Sequence, residues 1–337
     1  MQKNTTEDTE AHGGMAGLLH SDLRVPLRPL RFFSVITLIG LTITLLIPSA
    51  CSLKKIAVRQ ATGFFAESRK VFEQETDLEI AETSIASNLK LLEAMQVHDE
   101  NNDNLNLLIA EIYSAYTLSF AEDKMEQAEA DKKDGEVERQ RKRAKMLYLR
   151  ARDFAGKVLL PLLDTQDLSS MTEQELQKRL AKLDKDDIAP VFWYAFAWGS
   201  AINVDREDTQ GLSDLPKIEI MMAQVKAWNE AYYFAGAWLF EGVYFGARNE
   251  MMGGDPVRSK AAFEKNLKLT EGKLLITQYF YARTYCIFAQ DKVCFDKNIA
   301  AVLDAPADVH PGQKLANALA KKKAERLKRR KADFFIE

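Results

Sequence analysis

Along most of this chain apolar residues return every third or fourth position. The pattern is plain at Leu89, Leu92 and Met95, at Ile109, Ile112, Tyr113 and Tyr116, and again at Leu147, Tyr148, Ala151, Phe154, Ala155, Val158 and Leu159. That spacing predicts amphipathic helices, and no sustained two-residue alternation calls for a strand. The fold class that follows is all-α. Prolines mark boundaries: Pro161 closes a helix, while Pro190, Pro216, Pro256 and Pro311 each open one, as a residue without an N–H is free to do in a first turn. Helices with this punctuation read as an array of antiparallel helical hairpins. A charged stretch from Glu122 to Lys145, with Gly135 at its centre, is expected to form two protruding helix ends around a solvated loop.

One segment breaks the amphipathic pattern altogether. Phe32 to Ile47 is almost wholly apolar, follows Arg24, Arg28 and Arg31, and ends in Pro48, Ser49, Ala50 and Cys51. A basic flank, an apolar run and small residues before a cysteine read as a lipoprotein export signal, with Cys51 as the lipidated first residue of the mature protein. An aliphatic residue usually stands three positions before that cysteine, where this chain has Pro48. The alternative is an uncleaved anchor, although the run is short for a span of about 20 residues. Either reading places the bulk of the chain outside the cytoplasm. Met15 offers a second start, and Ser52 carries no inner-membrane retention signal of the aspartate kind. The organisation expected is therefore a signal peptide over 1–50 and one helical domain over 51–337.

Residues 1–50 carry four basic and four acidic side chains, so the remainder keeps the chain's net charge of −3. Nucleic acid is excluded as a general partner, since it requires a strongly basic face. Of the four histidines only His98 and His310 lie beyond residue 50, which leaves no His, Cys and carboxylate cluster at metal-ligand spacing and no cofactor to expect. Cys286 and Cys294 would stand about 12 Å apart on one continuous helix, beyond disulfide reach. A turn at Gln290 to Lys292 would bring them together; two buried free thiols are the expectation.

Shifting the sequence by 40 positions lays Trp198 on Trp238, Ala195 on Ala235, Ala197 on Ala237 and Pro216 on Pro256. Each pair falls in a stretch of the same kind: a small-and-aromatic helix, a polar loop, a proline-led helix. This is the signature of a degenerate helical-pair repeat, in which small residues let axes approach while rings fill the gaps. The clearest unit begins at Gly253, Gly254, Asp255 and Pro256, where Asp255 caps and Pro256 opens a helix with Ala261, Ala262, Phe263 and Leu267 on its apolar face. It resembles the second helix of a tetratricopeptide repeat.

Several segments in order resemble the TatT family, the tetratricopeptide-like T component associated with TRAP transporters. They are Phe192 to Gly199, Leu215 to Glu219, Tyr232 with Tyr233, Gly242 to Phe245, Gly253 to Pro256 with Phe263 to Lys265, and Leu315 to Asn317, together with Tyr148 to Phe154. The resemblance implies a periplasmic lipoprotein of tetratricopeptide-like hairpins, a homotrimer around a hydrophobic-lined pore. It further implies association with the substrate-binding P component of an importer of small organic or apolar ligands.

The residues themselves give no sign of an enzyme. Asp186 with Asp187 and Glu173 with Glu175 sit in highly charged segments where solvation leaves a carboxylate unperturbed, and no nucleophile elbow, phosphate loop or histidine base accompanies them. Most of the aromatic set must be core, because a helix such as 191–202 is apolar on nearly every face; both Trp198 and Trp238 are expected to fill helix-packing layers. Trp193, Tyr194, Tyr232, Tyr233 and Trp238 are the candidates for lining a groove or pore. The basic run Lys321 to Lys331 suits a helix C-terminus, or a contact with acidic lipid headgroups or an acidic partner. Two readings of function remain: a transport accessory, and an envelope scaffold whose groove holds a peptide or another lipoprotein.

Overall fold

The computed structural model describes residues 53–249, 251 and 253–336. The export signal, Cys51 and its lipidation lie outside the described residues. Residues 53–337 cluster as one compact unit. The described residues are helical with no strand, and no helix among them is long and apolar enough to cross a membrane.

The chain order is α1 (53–73), α2 (Leu78–Gln96), α3 (Asp103–Tyr116), α4 (Glu122–Ala130), α5 (Asp134–Leu162), α6 (Glu173–Leu180), α7 (Ile188–Val204), α8 (Thr209–Ser213), α9 (Leu215–Trp228), α10 (Tyr232–Gly246), α11 (Pro256–Leu269), α12 (Ile276–Tyr281), α13 (Lys292–Leu303) and α14 (Lys314–Arg329). Local chemistry sets many of the starts. Asp77 accepts from the amides of Glu79 and Ile80 at α2, Asn102 from Leu105 at α3, and Asp255 from Arg258 at 2.9 Å ahead of Pro256 at α11. Such caps satisfy donors that the helix itself leaves open. Short connections join α2 to α3, α10 to α11 and α12 to α13, and each pair packs together, so each is an antiparallel hairpin. The 40-residue offset lays one packed pair, α7 with α9, on another, α10 with α11.

Three apolar clusters make the core. One gathers α5, α6, α7 and α9 around Phe192, Trp193 and Trp198. A second joins α2, α3, α5 and α14 through Leu92, Ile109, Tyr148 and Leu319. The third holds α11 to α14 through Phe263, Tyr279 and Phe295.

The charged stretch departs from expectation. Its loop at residues 131–133 and the start of α5 are exposed, but α4 is packed down, with Glu122, Asp123 and Glu126 buried. What makes this tolerable is the basic run of α14: Arg326 Nη2 meets Asp123 Oδ1 and Glu126 Oε2, each at 2.6 Å, and Lys323 Nζ meets Glu126 Oε1 at 3.1 Å. Arg283 closes on the same carboxylate, and Tyr279 Oη donates to it at 2.8 Å. Two runs too polar to bury alone neutralise one another. The acidic partner of the basic run thus lies within the chain.

The cysteines also differ from expectation. Gln290, with φ of 54°, turns the chain between α12 and α13, bringing the Cys286 and Cys294 Cα atoms to 5.5 Å in a disulfide. The turn defeats the free-thiol reading because it replaces the separation along one helix with that of two adjacent helices of a hairpin.

Candidate functional site

Helices α1, α2, α3, α7, α10 and α14 surround a cavity of about 220 Å³. Its wall is apolar over most of its extent: Phe65 and Phe72 from α1, Ile112 from α3, Phe192, Trp193 and Phe196 from α7, Leu239 from α10, and Leu315 and Leu319 from α14. Leu118 and Phe120 join them from a π-helical turn, Thr117–Ala121, between α3 and α4. Thr117 there donates its hydroxyl to the Tyr113 carbonyl at 2.7 Å. A π-turn shifts the helical register, so this one lets Phe120 line the cavity while the carboxylates that follow turn to α14. Another pocket, of about 290 Å³, is lined mainly by charged residues such as Glu122, Arg141 and Arg206; it lacks the apolar wall that an uncharged ligand needs.

Polar groups gather at one side of the apolar cavity. Arg69 of α1 bonds Glu111 of α3 at 2.7 Å and Glu73 at 3.2 Å. Burial pushes the Glu111 carboxyl above its ordinary value despite the opposing Arg69 charge. Arg69, Glu111, Tyr233 and Phe234 also line a polar recess of about 660 Å³ whose further walls include Glu271, Lys273 and His310. These four side chains therefore form the boundary between an apolar interior and a charged outer recess.

The backbone at that boundary is unusual. Tyr233, Phe234 and Ala235 all have positive φ, at 45°, 57° and 55°, in the left-handed region that costs a non-glycine residue roughly 1–2 kcal/mol. Asn266 of α11 holds the turn by donating to the carbonyls of Phe234 at 3.0 Å and Ala235 at 2.9 Å, while its own oxygen accepts from Thr277 at 2.7 Å. Gly236 follows because a Cβ there would stand 2.8 Å from Phe192. Helix α10 proper begins only after this turn.

The structure separates the five aromatic candidates. Trp193 and Tyr233 line the cavity, with ring centroids 4.6 Å apart and edge to face. Burial and the Glu111 charge hold the Tyr233 phenol well above its ordinary pKa. Tyr232 lines the outer recess, and burial first, then Glu111, pushes its phenol up to about 12. Tyr194 is buried on the other side of α7, against Trp198 and Gly156, away from the cavity lining. Trp238 is half-buried beneath Lys226, whose Nζ lies 4.3 Å from its ring centroid, and its indole nitrogen is buried without a hydrogen-bond partner among the described residues. It therefore does not match the fully packed Trp198 to which the 40-residue offset equates it.

Sequence reasoning missed Arg69, Glu111 and Phe234. The first two lie in segments that read as ordinary amphipathic helix, and their pairing spans 42 positions. Phe234 sits in a run of small and aromatic residues that reads as unbroken helix, and the left-handed turn has no glycine at residues 233–235 to betray it.

An uncharacterized protein of Treponema pallidum (strain Nichols) is 24% identical over 310 residues, covering 87% of this chain and 95% of the relative. The family model described as TRAP transporter T-component, TAtT, matches residues 74–335, which takes in every helix from α2 to α14 and most of the cavity wall. With that match running through the helices that build the cavity and its boundary, the chain belongs to the TRAP transporter T-component family.

Proposed function

We propose that this chain is a non-catalytic, envelope-anchored accessory of a TRAP-type solute importer. It binds the periplasmic substrate-binding component and accepts a small organic ligand with a substantial apolar part. The observation that carries this reading is the mostly apolar cavity with the Arg69–Glu111 pair at its boundary to the outer recess: rings and aliphatic side chains favour a ligand's hydrocarbon by removing it from water, and Arg69 and Glu111 offer hydrogen bonds to a polar end. Trp193 and Tyr233 are the ring contacts, with Tyr232 at the entrance.

Several further elements belong to the same reading. The hairpins α7 with α9 and α10 with α11 are degenerate tetratricopeptide-like units. Cys51 is the lipid-modified N-terminus, holding the domain at the periplasmic face of a membrane. The assembly is a homotrimer, whose closed symmetry would cover apolar surface otherwise left in water. Trp238, half-buried beneath Lys226, belongs to a surface that a partner covers. The alternative is a scaffold whose apolar cavity holds a peptide or another lipoprotein in place of a small molecule.

Sedimentation velocity on the lipid-free domain, alone and with the substrate-binding component encoded nearest to it, tests the assembly. The expected result is self-association and a heavier species in the mixture. A monomer that forms no complex at tens of micromolar would reject the transport reading and leave the scaffold.

A further inference from the structure

The first helix carries two apolar faces, and the core uses one of them. Val58, Thr62 and Phe65 turn inward, with Val58 and Thr62 buried and Phe65 packed on the core. At about 100° per residue, Leu53, Ile56 and Phe64 fall within an arc of about 80° on the opposite side. They are 64%, 52% and 67% exposed. Helical repeats elsewhere in the fold do not explain this stripe, since the family match begins only at residue 74.

Charge on the same segment has one sign. Between residues 51 and 66 the ionisable side chains are Lys54, Lys55 and Arg59, and the first carboxylate is Glu67. Lys55 and Arg59 both approach Asp99, at 3.9 and 3.0 Å, so one acidic group from the connection between α2 and α3 meets two of the three cations and the segment stays positive. Large exposed apolar side chains interleaved with lysine and arginine are what an interfacial helix presents to lipid.

Chain connectivity says what covers the stripe. Leu53 is six residues beyond the end of the apolar run at Ile47 and two beyond Cys51. At about 3.5 Å per residue, a membrane-embedded run holds Leu53 within about 21 Å of its end, and an acylated Cys51 holds it within about 7 Å. We infer that the first three turns of α1 lie on the surface of an anionic bilayer, with Leu53, Ile56 and Phe64 entering the headgroup layer and Lys54 and its neighbours facing lipid phosphates. This inference rests on the envelope-anchored part of the proposed function and adds an orientation: the helix that walls the cavity through Phe65, Arg69 and Phe72 is the one docked on the membrane.

The test uses the full chain, purified from membranes and reconstituted into vesicles containing phosphatidylglycerol. An environment-sensitive fluorophore is attached at Phe64→Cys or, as the control on α2, at Leu91→Cys. Lipids carrying a nitroxide near the headgroup should quench the label at 64 several-fold more than the label at 91, and Lys54→Glu with Leu53→Asp should abolish the difference. Equal quenching at the two positions, in protein that floats with the vesicles, overturns the inference alone. So does a label at 64 that is shielded from water yet untouched by lipid nitroxide, which would mean that a second copy covers the stripe. Protein that fails to float with vesicles defeats the anchored reading itself.

Discussion

Arg326 joins two helices that lie about two hundred positions apart in the chain: its Nη2 donates to Asp123 Oδ1 and to Glu126 Oε2, each at 2.6 Å. Around this contact Lys323 and Glu126 are 1% and 4% exposed, so their charges are answered by each other and not by water. The network fastens α14 to α4 just below the apolar cavity, which Lys323 also lines. Buried pairs of this kind hold a particular arrangement while adding little net stability over an apolar substitute.

Removing one side of the network should therefore be costly and removing all of it should not. Glu126→Ala leaves Lys323, Arg326 and Arg283 short of a common partner and is expected to cost about 3–5 kcal/mol. Replacing Asp123, Glu126, Arg283, Lys323 and Arg326 together with apolar residues of similar size should recover much of that loss. Urea midpoints at unchanged slope measure both; a neutral Glu126→Ala would mean that the buried carboxylate is dispensable.

The same burial gives a pH signature. Burial, opposed by Glu122 and Asp123, lowers the Lys323 ammonium from its ordinary 10.5 to about 7. Between those values the unfolded chain holds more protons than the folded one, so stability should rise with pH, by at most about 4 kcal/mol from pH 7 to pH 10. Above pH 10 the buried phenols of Tyr148 and Tyr233, both held well above 10.0, oppose the rise because the unfolded chain loses those protons first. Lys323→Met should flatten the curve between pH 7 and pH 10. A wild-type stability that falls across that window would contradict the assignment.

Trp198 and Trp238 occupy equivalent positions in the 40-residue offset but different surroundings. Trp198 is 4% exposed within the α7 layer, and Trp198→Ala should cost about 3–5 kcal/mol through lost transfer energy and a cavity. Trp238→Ala is expected to cost only about 1 kcal/mol and to weaken binding of the substrate-binding component. Equal thermal shifts for the two variants would show that both rings are core.

How much of this was legible in the sequence depended on the range of the interactions. Helices α5, α7 and α11 follow from local periodicity, caps and prolines, and Asp255 with Pro256 starts α11 where the residues themselves demand it. The burial of α4 was not legible, because a carboxylate-rich helix looks solvated until the basic face of α14 is known to oppose it. The Cys286–Cys294 bridge depended on a left-handed turn at Gln290, a position that glycine or asparagine would have flagged. In the cavity, Trp193 and Tyr233 could be picked from an aromatic run, but Tyr194, one residue along the same helix, points the other way. Arg69 and Glu111 were invisible since each is ordinary within its own helix and only their meeting makes a polar boundary.

The central claim is that the cavity receives the ligand handled by the substrate-binding component. It is tested most directly by loading that component with a fluorescent apolar ligand, mixing it with this protein, and following energy transfer from Trp193 to the ligand. The account predicts that the signal appears for the wild type, is weakened in Trp193→Phe although ligand still moves, and that transfer itself fails in Ile112→Trp, where an added ring fills the cavity. Ligand that never leaves its carrier, or that moves equally well to Ile112→Trp, would contradict it.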